Sequence, residues 1–157
     1  MKIVKVFIAS SAELKQERME LVDLLQDLND EVEDQTIRFK PVLWEYMDSS
    51  MGKMRKEDEY LEKLRLCEIC LVLFWRTLGE YTVEELDYAV AEMQAGRLPQ
   101  RVYVLFKEPY DGISDELVKF KESYSLRYPH IPVQTIKDQK MLRELVTTFI
   151  SPKLQLL

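Results

Sequence analysis

Seven consecutive residues, Ile69-Cys70-Leu71-Val72-Leu73-Phe74-Trp75, carry no charge and no turn former. A run of that length without alternation reads as a strand buried on both faces, the condition of a central strand in a parallel sheet. A short polar stretch separates it from an amphipathic segment, from about Val83 to Ala95, that buries Leu86, Val90 and Met93 and meets a natural C-cap at Gly96. Strand followed by helix is therefore the unit to look for elsewhere.

The same alternation runs the length of the chain. Ile3 to Ala9 reads as a strand, and Ser10 to about Glu33 as a helix with Leu14, Leu21, Val22, Leu25, Leu28 and Val32 at helical spacing. Ile37 to Leu43 is the second strand, closed by Trp44-Glu45-Tyr46-Met47, and a helix near Lys53 to Leu66 follows a polar loop containing Gly52. Arg101 to Phe106 makes the fourth strand. Lys107 to Gly112 is turn chemistry, Ser114 can cap a helix toward Arg127, Val133 to Ile136 is a short last strand, and Asp138 can cap a final helix to Ile150. Five βα units with right-handed crossovers imply a three-layer α/β/α domain, its five-stranded parallel sheet in the flavodoxin-like order 2-1-3-4-5.

The 157 residues fit one domain, able to stand as the N-terminal module of a longer protein, with a core sufficient without disulfides or structural metal. A composition 46% hydrophobic and 32% charged excludes disordered and fibrous classes. The formal charge of −6, without a long Lys/Arg cluster, argues against nucleic acid as main partner, while leaving room for a small basic pocket holding one anion. No signal-peptide core and no apolar stretch of about 20 residues is visible, so a cytoplasmic protein without a membrane partner is expected.

Cys67 and Cys70 have C-x-x-C spacing but lead straight into the apolar run, where alternation would point them to opposite faces; a core or boundary pair is expected. With no second pair, and the single histidine, His130, held between prolines in a loop, no metal site and no His-dependent nucleophile is expected. The absence of G-x-G-x-x-G and Walker-type loops makes a Rossmann dehydrogenase or phosphate-loop hydrolase improbable.

In a 2-1-3-4-5 sheet the switch point lies between strands one and three, where ligands meet the strand exits. That places Ala9, Ser10 and Ser11 on one side and Trp75, Arg76 and Thr77 on the other, with Trp44 and Glu45 as the next wall and Glu85, in the first turn of the following helix, as the first candidate for the centre. Each has a plainer explanation. Thr82 to Glu85 and Ser10 to Glu13 both fit capping boxes. Arg18, within the apolar stripe, is expected to snorkel to the surface, with an ion pair to a site carboxylate as the sharper alternative. Trp44 and Trp75 suit a core boundary as well as stacking on a ring, and Glu80, Glu84, Glu85 and Asp87 suit a helix dipole.

Val6-Phe7-Ile8-Ala9-Ser10-Ser11, followed by Leu14 and by Glu17-Arg18, resembles the opening of the TIR-like family known as DUF4062, with its V-F-I-S-S strand and E-R pair. Cys67-Glu68-Ile69-Cys70 is similar to that family's C-D-I-x segment, and Thr82-x-x-Glu85-Leu86-x-Tyr88 to its S-x-T-E-x-E-Y stretch; the likeness covers roughly residues 3 to 107. Glu85-Leu86 also falls on the E-L of the W-C-x-x-E-L motif of TIR domains, whose glutamate is catalytic in members that cleave NAD. Val83 and Glu84 depart from that motif. The resemblance implies an NAD glycohydrolase of bacterial defence or signalling with NAD as substrate and no further cofactor. Glu85 would be its catalytic carboxylate, Ser10 and Ser11 would contact ribose or phosphate, Trp44 and Trp75 would line the base-binding cleft, and Arg76 would offset phosphate charge. It further implies self-association, with the Asp48 to Gly52 loop as the element completing a neighbour's site. A non-enzymatic TIR assembly module and a nucleoside deoxyribosyltransferase are the alternatives the same features allow.

Overall fold

The computed structural model describes residues 1–32, 36–46, 56–79, 81–108 and 111–151. Strands β1 (Lys2–Ser10), β2 (Ile37–Val42), β3 (Ile69–Phe74), β4 (Arg101–Lys107) and β5 (Val133–Ile136) form one all-parallel sheet in the order β2-β1-β3-β4-β5. This is the flavodoxin-like order expected from the alternation. Every residue of β3 is buried, as its unbroken apolar run requires.

Helices α1 (Lys15–Glu31) and α5 (Gln139–Phe149) cover one face. There Val4, Val6 and Ile8 of β1 and Leu71 and Leu73 of β3 pack with Leu21, Leu25 and Leu28 of α1 and Leu142 and Val146 of α5. Helices α2 (Lys56–Leu64), α3 (Thr82–Gln94) and α4 (Asp115–Arg127) cover the other face. Phe7, Ala9, Cys70, Val72 and Phe74 meet Leu64, Leu86, Val90, Leu117 and Phe120 on that side. The strict two-residue alternation of β1 between these two clusters fixes which of its side chains can reach which helices. Among the described residues, no helix is long and apolar enough to cross a membrane.

Several boundaries differ from the sequence expectation. The first helix does not open at Ser10: that residue closes β1, Ala12–Leu14 form a 3₁₀ turn, and α1 begins at Lys15. The α2 helix ends at Leu64, with Leu66 and Cys67 leaving through amide bonds to Lys63 and Leu64 carbonyls, while Lys53 to Arg55 lie outside the described residues. Cys67 and Cys70 are both buried, but in the same apolar cluster rather than on opposite faces, because Cys67 precedes the strand and escapes its alternation. Burial pushes the Cys67 thiol up to about 12 and the Cys70 thiol well above its ordinary value, so both stay protonated and unreactive. Met93 is only partly buried, whereas Leu86 and Val90 are core. The caps at Ser114 and Asp138 form as expected, each side chain accepting the amide three residues on.

Gly96 ends α3 in a left-handed conformation, φ 78°. The amide of Gly96 donates to the Met93 carbonyl and that of Arg97 to the Glu92 carbonyl, the paired bonds of a Schellman motif. A side chain at Gly96 would meet open space, so the cost of Gly96→Ala is conformational alone. We expect about 1 kcal/mol of destabilisation in chemical denaturation, without change in denaturant sensitivity; an unchanged midpoint would show that α3 can end without this residue.

Candidate functional site at the carboxyl ends of strands one and three

The last four residues of β1, Phe7 to Ser10, line a small recess together with Trp44, Tyr60 and Glu85. Trp44 arrives on a 3₁₀ turn, Trp44–Tyr46, just beyond β2; Tyr60 comes from α2 and Glu85 from the first turn of α3. Three elements that are far apart in sequence are thus brought over the end of one strand by the parallel topology. The recess holds about 20 Å³, room for a single water molecule.

Glu85 is 8% exposed and adds to the upward push on the Cys70 thiol, second to burial, so its carboxylate lies within electrostatic reach of the residue paired in register with Phe7. The capping-box explanation of Glu85 does not hold. Thr82 is the first helical residue rather than the cap, the cap position belongs to Tyr81 without a side-chain cap bond, and the Glu85 amide donates to the Tyr81 carbonyl at 2.9 Å. The chain enters α3 through Gly79, where an added Cβ would sit 2.4 Å from Thr82 Oγ1 and 3.2 Å from Ser11 Cβ. A side chain at Gly79 would force the Thr82 hydroxyl to shift, because the loop after β3 passes close over the end of β1.

Arg18 is wholly buried and does not snorkel. Its Nε donates to both Glu45 oxygens, at 3.0 and 2.9 Å, and its Nη1 donates to Ser10 Oγ at 2.6 Å and to the Ser11 carbonyl at 2.8 Å. The guanidinium carbon also lies 5.2 Å from the centre of the Trp44 ring. A buried charge must find a countercharge, and Arg18 finds it in Glu45, the neighbour of Trp44. The pair joins α1 to the segment after β2 and holds two lining residues of the recess from behind. It is the ion-pair alternative of the sequence reading, although the carboxylate concerned is Glu45.

Trp75 and Arg76 belong to a second group and are not among the residues lining the recess. Trp75 packs on the α1 face, with the Arg76 guanidinium 4.2 Å and the Lys107 ammonium 4.0 Å from its ring centre. Lys107 is also paired with the buried Glu17 at 2.7 Å, and Arg76 reaches Asp111 at 3.5 Å. Glu17 and Arg18 therefore make two ion pairs in different directions, one to the exit of β4 and one to the exit of β2. The Ser10 to Glu13 capping box is not formed, because Glu13 Oε1 instead accepts the amides of Arg76 at 2.8 Å and Thr77 at 3.0 Å. Two charge-assisted bonds outweigh the single cap they replace.

Ser11 Oγ, Arg18 Nη2, Trp75 Nε1 and Arg76 Nε are buried without a hydrogen-bond partner among the described residues. All four belong to this end of the sheet, and three are N–H donors without an acceptor among the described residues. Buried donors left unmatched are costly in a native fold. Among the described residues, no three His, Cys, Asp or Glu side chains gather where a metal ion could sit.

Of the residues singled out in the sequence, Ser10, Trp44 and Glu85 come together, Ser11 lies beneath the Gly79 loop, and Trp75 and Arg76 form the neighbouring cluster. Glu80 and the Asp48 to Gly52 loop lie outside the described residues. Tyr60 and Glu13 carried no signal of a role at this end of the sheet. No protein-family model matches the chain, and no curated protein matches it. The likeness to the TIR-like family rests on the short motifs quoted above.

Proposed function

We propose that the protein is a TIR-like NAD glycohydrolase that cleaves the nicotinamide-ribose bond of NAD in bacterial defence or signalling. The observation that carries this reading is a nearly buried carboxylate, Glu85, sharing one recess with Ser10 and Trp44 at the switch point of the sheet. When the bond from the ribose anomeric carbon to the pyridinium nitrogen breaks, its electron pair neutralises the departing nicotinamide. Positive charge then develops on the ribose, and a fixed carboxylate beside it lowers the barrier. Water adds to the anomeric carbon and gives up a proton. The unmatched donors on Trp75 and Arg76, in the neighbouring cluster, suit the acceptor oxygens of the substrate's diphosphate and riboses.

The recess must widen to admit a pyridine ring. Trp44, 40% exposed, is its most accessible lining residue. The small closed volume also favours a second reading, a non-enzymatic TIR-like assembly module. Incubating the purified protein with NAD and following nicotinamide release separates the two. Because the enzymatic reading includes self-association, turnover per protomer should rise with protein concentration. No nicotinamide at any concentration, in a protein that still self-associates, favours the assembly module.

A further inference from the structure

We propose that a second cleft, between β2 and α2, binds the phosphate group of a small phosphorylated ligand through Lys5, Lys40 and Lys63. The cleft has a volume of about 220 Å³ and is bounded by these three lysines and by apolar side chains that include Pro41 and Leu66. It shares no described lining residue with the recess of Glu85.

The arrangement of charge is what points to an anion. Lys5 and Lys40 are register partners on neighbouring parallel strands, so their stems leave the sheet side by side, about 4.8 Å apart at the backbone. Lys5 alternates with Phe7 and Ala9, which pack beneath α2 and α3, and Lys63 reaches the same cleft from α2 itself. The thiol of Cys67 feels Glu68 first among the charges and then Lys5 and Lys63, so one carboxylate and two ammonium groups lie within electrostatic reach of it. Like charges gathered in this way repel one another and cost the fold electrostatic energy.

No described acid relieves that repulsion through an ion pair. Glu68, the nearest carboxylate, is held at this place by the main-chain amide of Lys5 at 2.5 Å and offsets one of the three positive charges, which leaves the cleft net positive. In a chain with formal charge −6, this cleft is locally positive.

The chemistry selects the ligand class. Three ammonium groups act as point charges suited to a compact multivalent anion rather than to a planar carboxylate, which an arginine fork fits better. Leu66 is 52% exposed and, with Pro41, offers an apolar wall on which the organic part of such a ligand can rest. The volume suits a phosphate with a sugar-sized body.

The test is a titration of the 157-residue protein with ribose 5-phosphate, followed by amide chemical shifts in two-dimensional NMR, with unphosphorylated ribose as control. Saturable shifts are expected at residues 5, 40, 42 and 43 and at residues 63 to 66, and none with ribose. Lys40→Gln and Lys63→Gln should each weaken binding about tenfold, the loss of one close charge interaction. Neither should lower the melting temperature, because each also removes a like-charge contact. Lys140→Gln, at an exposed position in α5, should bind as the parent does. The proposal is overturned by absence of saturable shifts, by ribose binding as well as its phosphate, or by undiminished affinity in both cleft variants.

Discussion

Replacing Glu85 by glutamine should reduce NAD cleavage by on the order of 100-fold or more, the effect of removing a preorganised group that stabilises developing charge. Glutamine keeps the length and one acceptor oxygen of the side chain but cannot face a cation with negative charge. Glu85 is more deeply buried than its place at the flank of the helix stripe suggests, so the substitution also tests packing. Because the shape is retained, the stability loss should stay within about 1 to 2 kcal/mol, the scale of one altered hydrogen bond. Circular dichroism at the assay temperature would establish that the variant is folded. Glu84→Gln supplies the comparison: it lies one residue away, about 100° around the helix, and is not among the residues of the recess. Turnover in Glu84→Gln should match the parent. Retained turnover in Glu85→Gln, or equal loss in both variants, would remove Glu85 from the chemistry.

How far such a site can be read from the chain depends on the range of its contacts. The strand order was legible because each βα unit announces itself locally, through the unbroken apolar run of Ile69 to Phe74 and through helical spacing such as Leu21, Leu25 and Leu28. The convergence of Ser10 and Glu85 followed from that order, since the switch point selects strand exits before any side chain is placed. What local pattern could not supply was the choice among polar partners. Glu13 looks like half of a capping box, yet it binds amides 63 and 64 residues away. Glu17 finds Lys107 across 90 residues, and Tyr60 sits on a short helix whose sequence carries no mark of what it faces. Arg18 is the instructive case. A charge in an apolar stripe has two solutions, reaching water or finding a partner, and only the tertiary fold decides between them.

That decision has a measurable consequence, because Glu45→Gln should be among the most destabilising polar substitutions in the chain. The Arg18 guanidinium has no exposure and the Glu45 side chain has 14%, so removing the carboxylate's charge strands a cation that water cannot reach. Breaking a buried pair from one side costs about 3 to 5 kcal/mol. For a domain of this size that corresponds to a fall of roughly 10 °C in melting temperature. Arg18→Met should cost less: it removes the inaccessible charge and its unmatched Nη2 donor, and leaves Glu45 the water contact it has already. The double variant Arg18→Met/Glu45→Leu should regain most of the loss, since apolar replacement of a whole buried pair is often close to neutral. A double-mutant cycle on denaturant midpoints would measure the coupling, and a loss in Glu45→Gln below about 1 kcal/mol, the scale of an exposed pair, would contradict the burial that makes the prediction. All three variants should nevertheless turn over NAD slowly, the repacked double variant included. Stability can be restored by apolar side chains, but the bond from Arg18 to Ser10 Oγ and the fixing of the turn that carries Trp44 cannot. Recovery of stability without recovery of turnover would identify Arg18 and Glu45 as positioning residues for the recess, and recovery of both would reduce them to parts of the core.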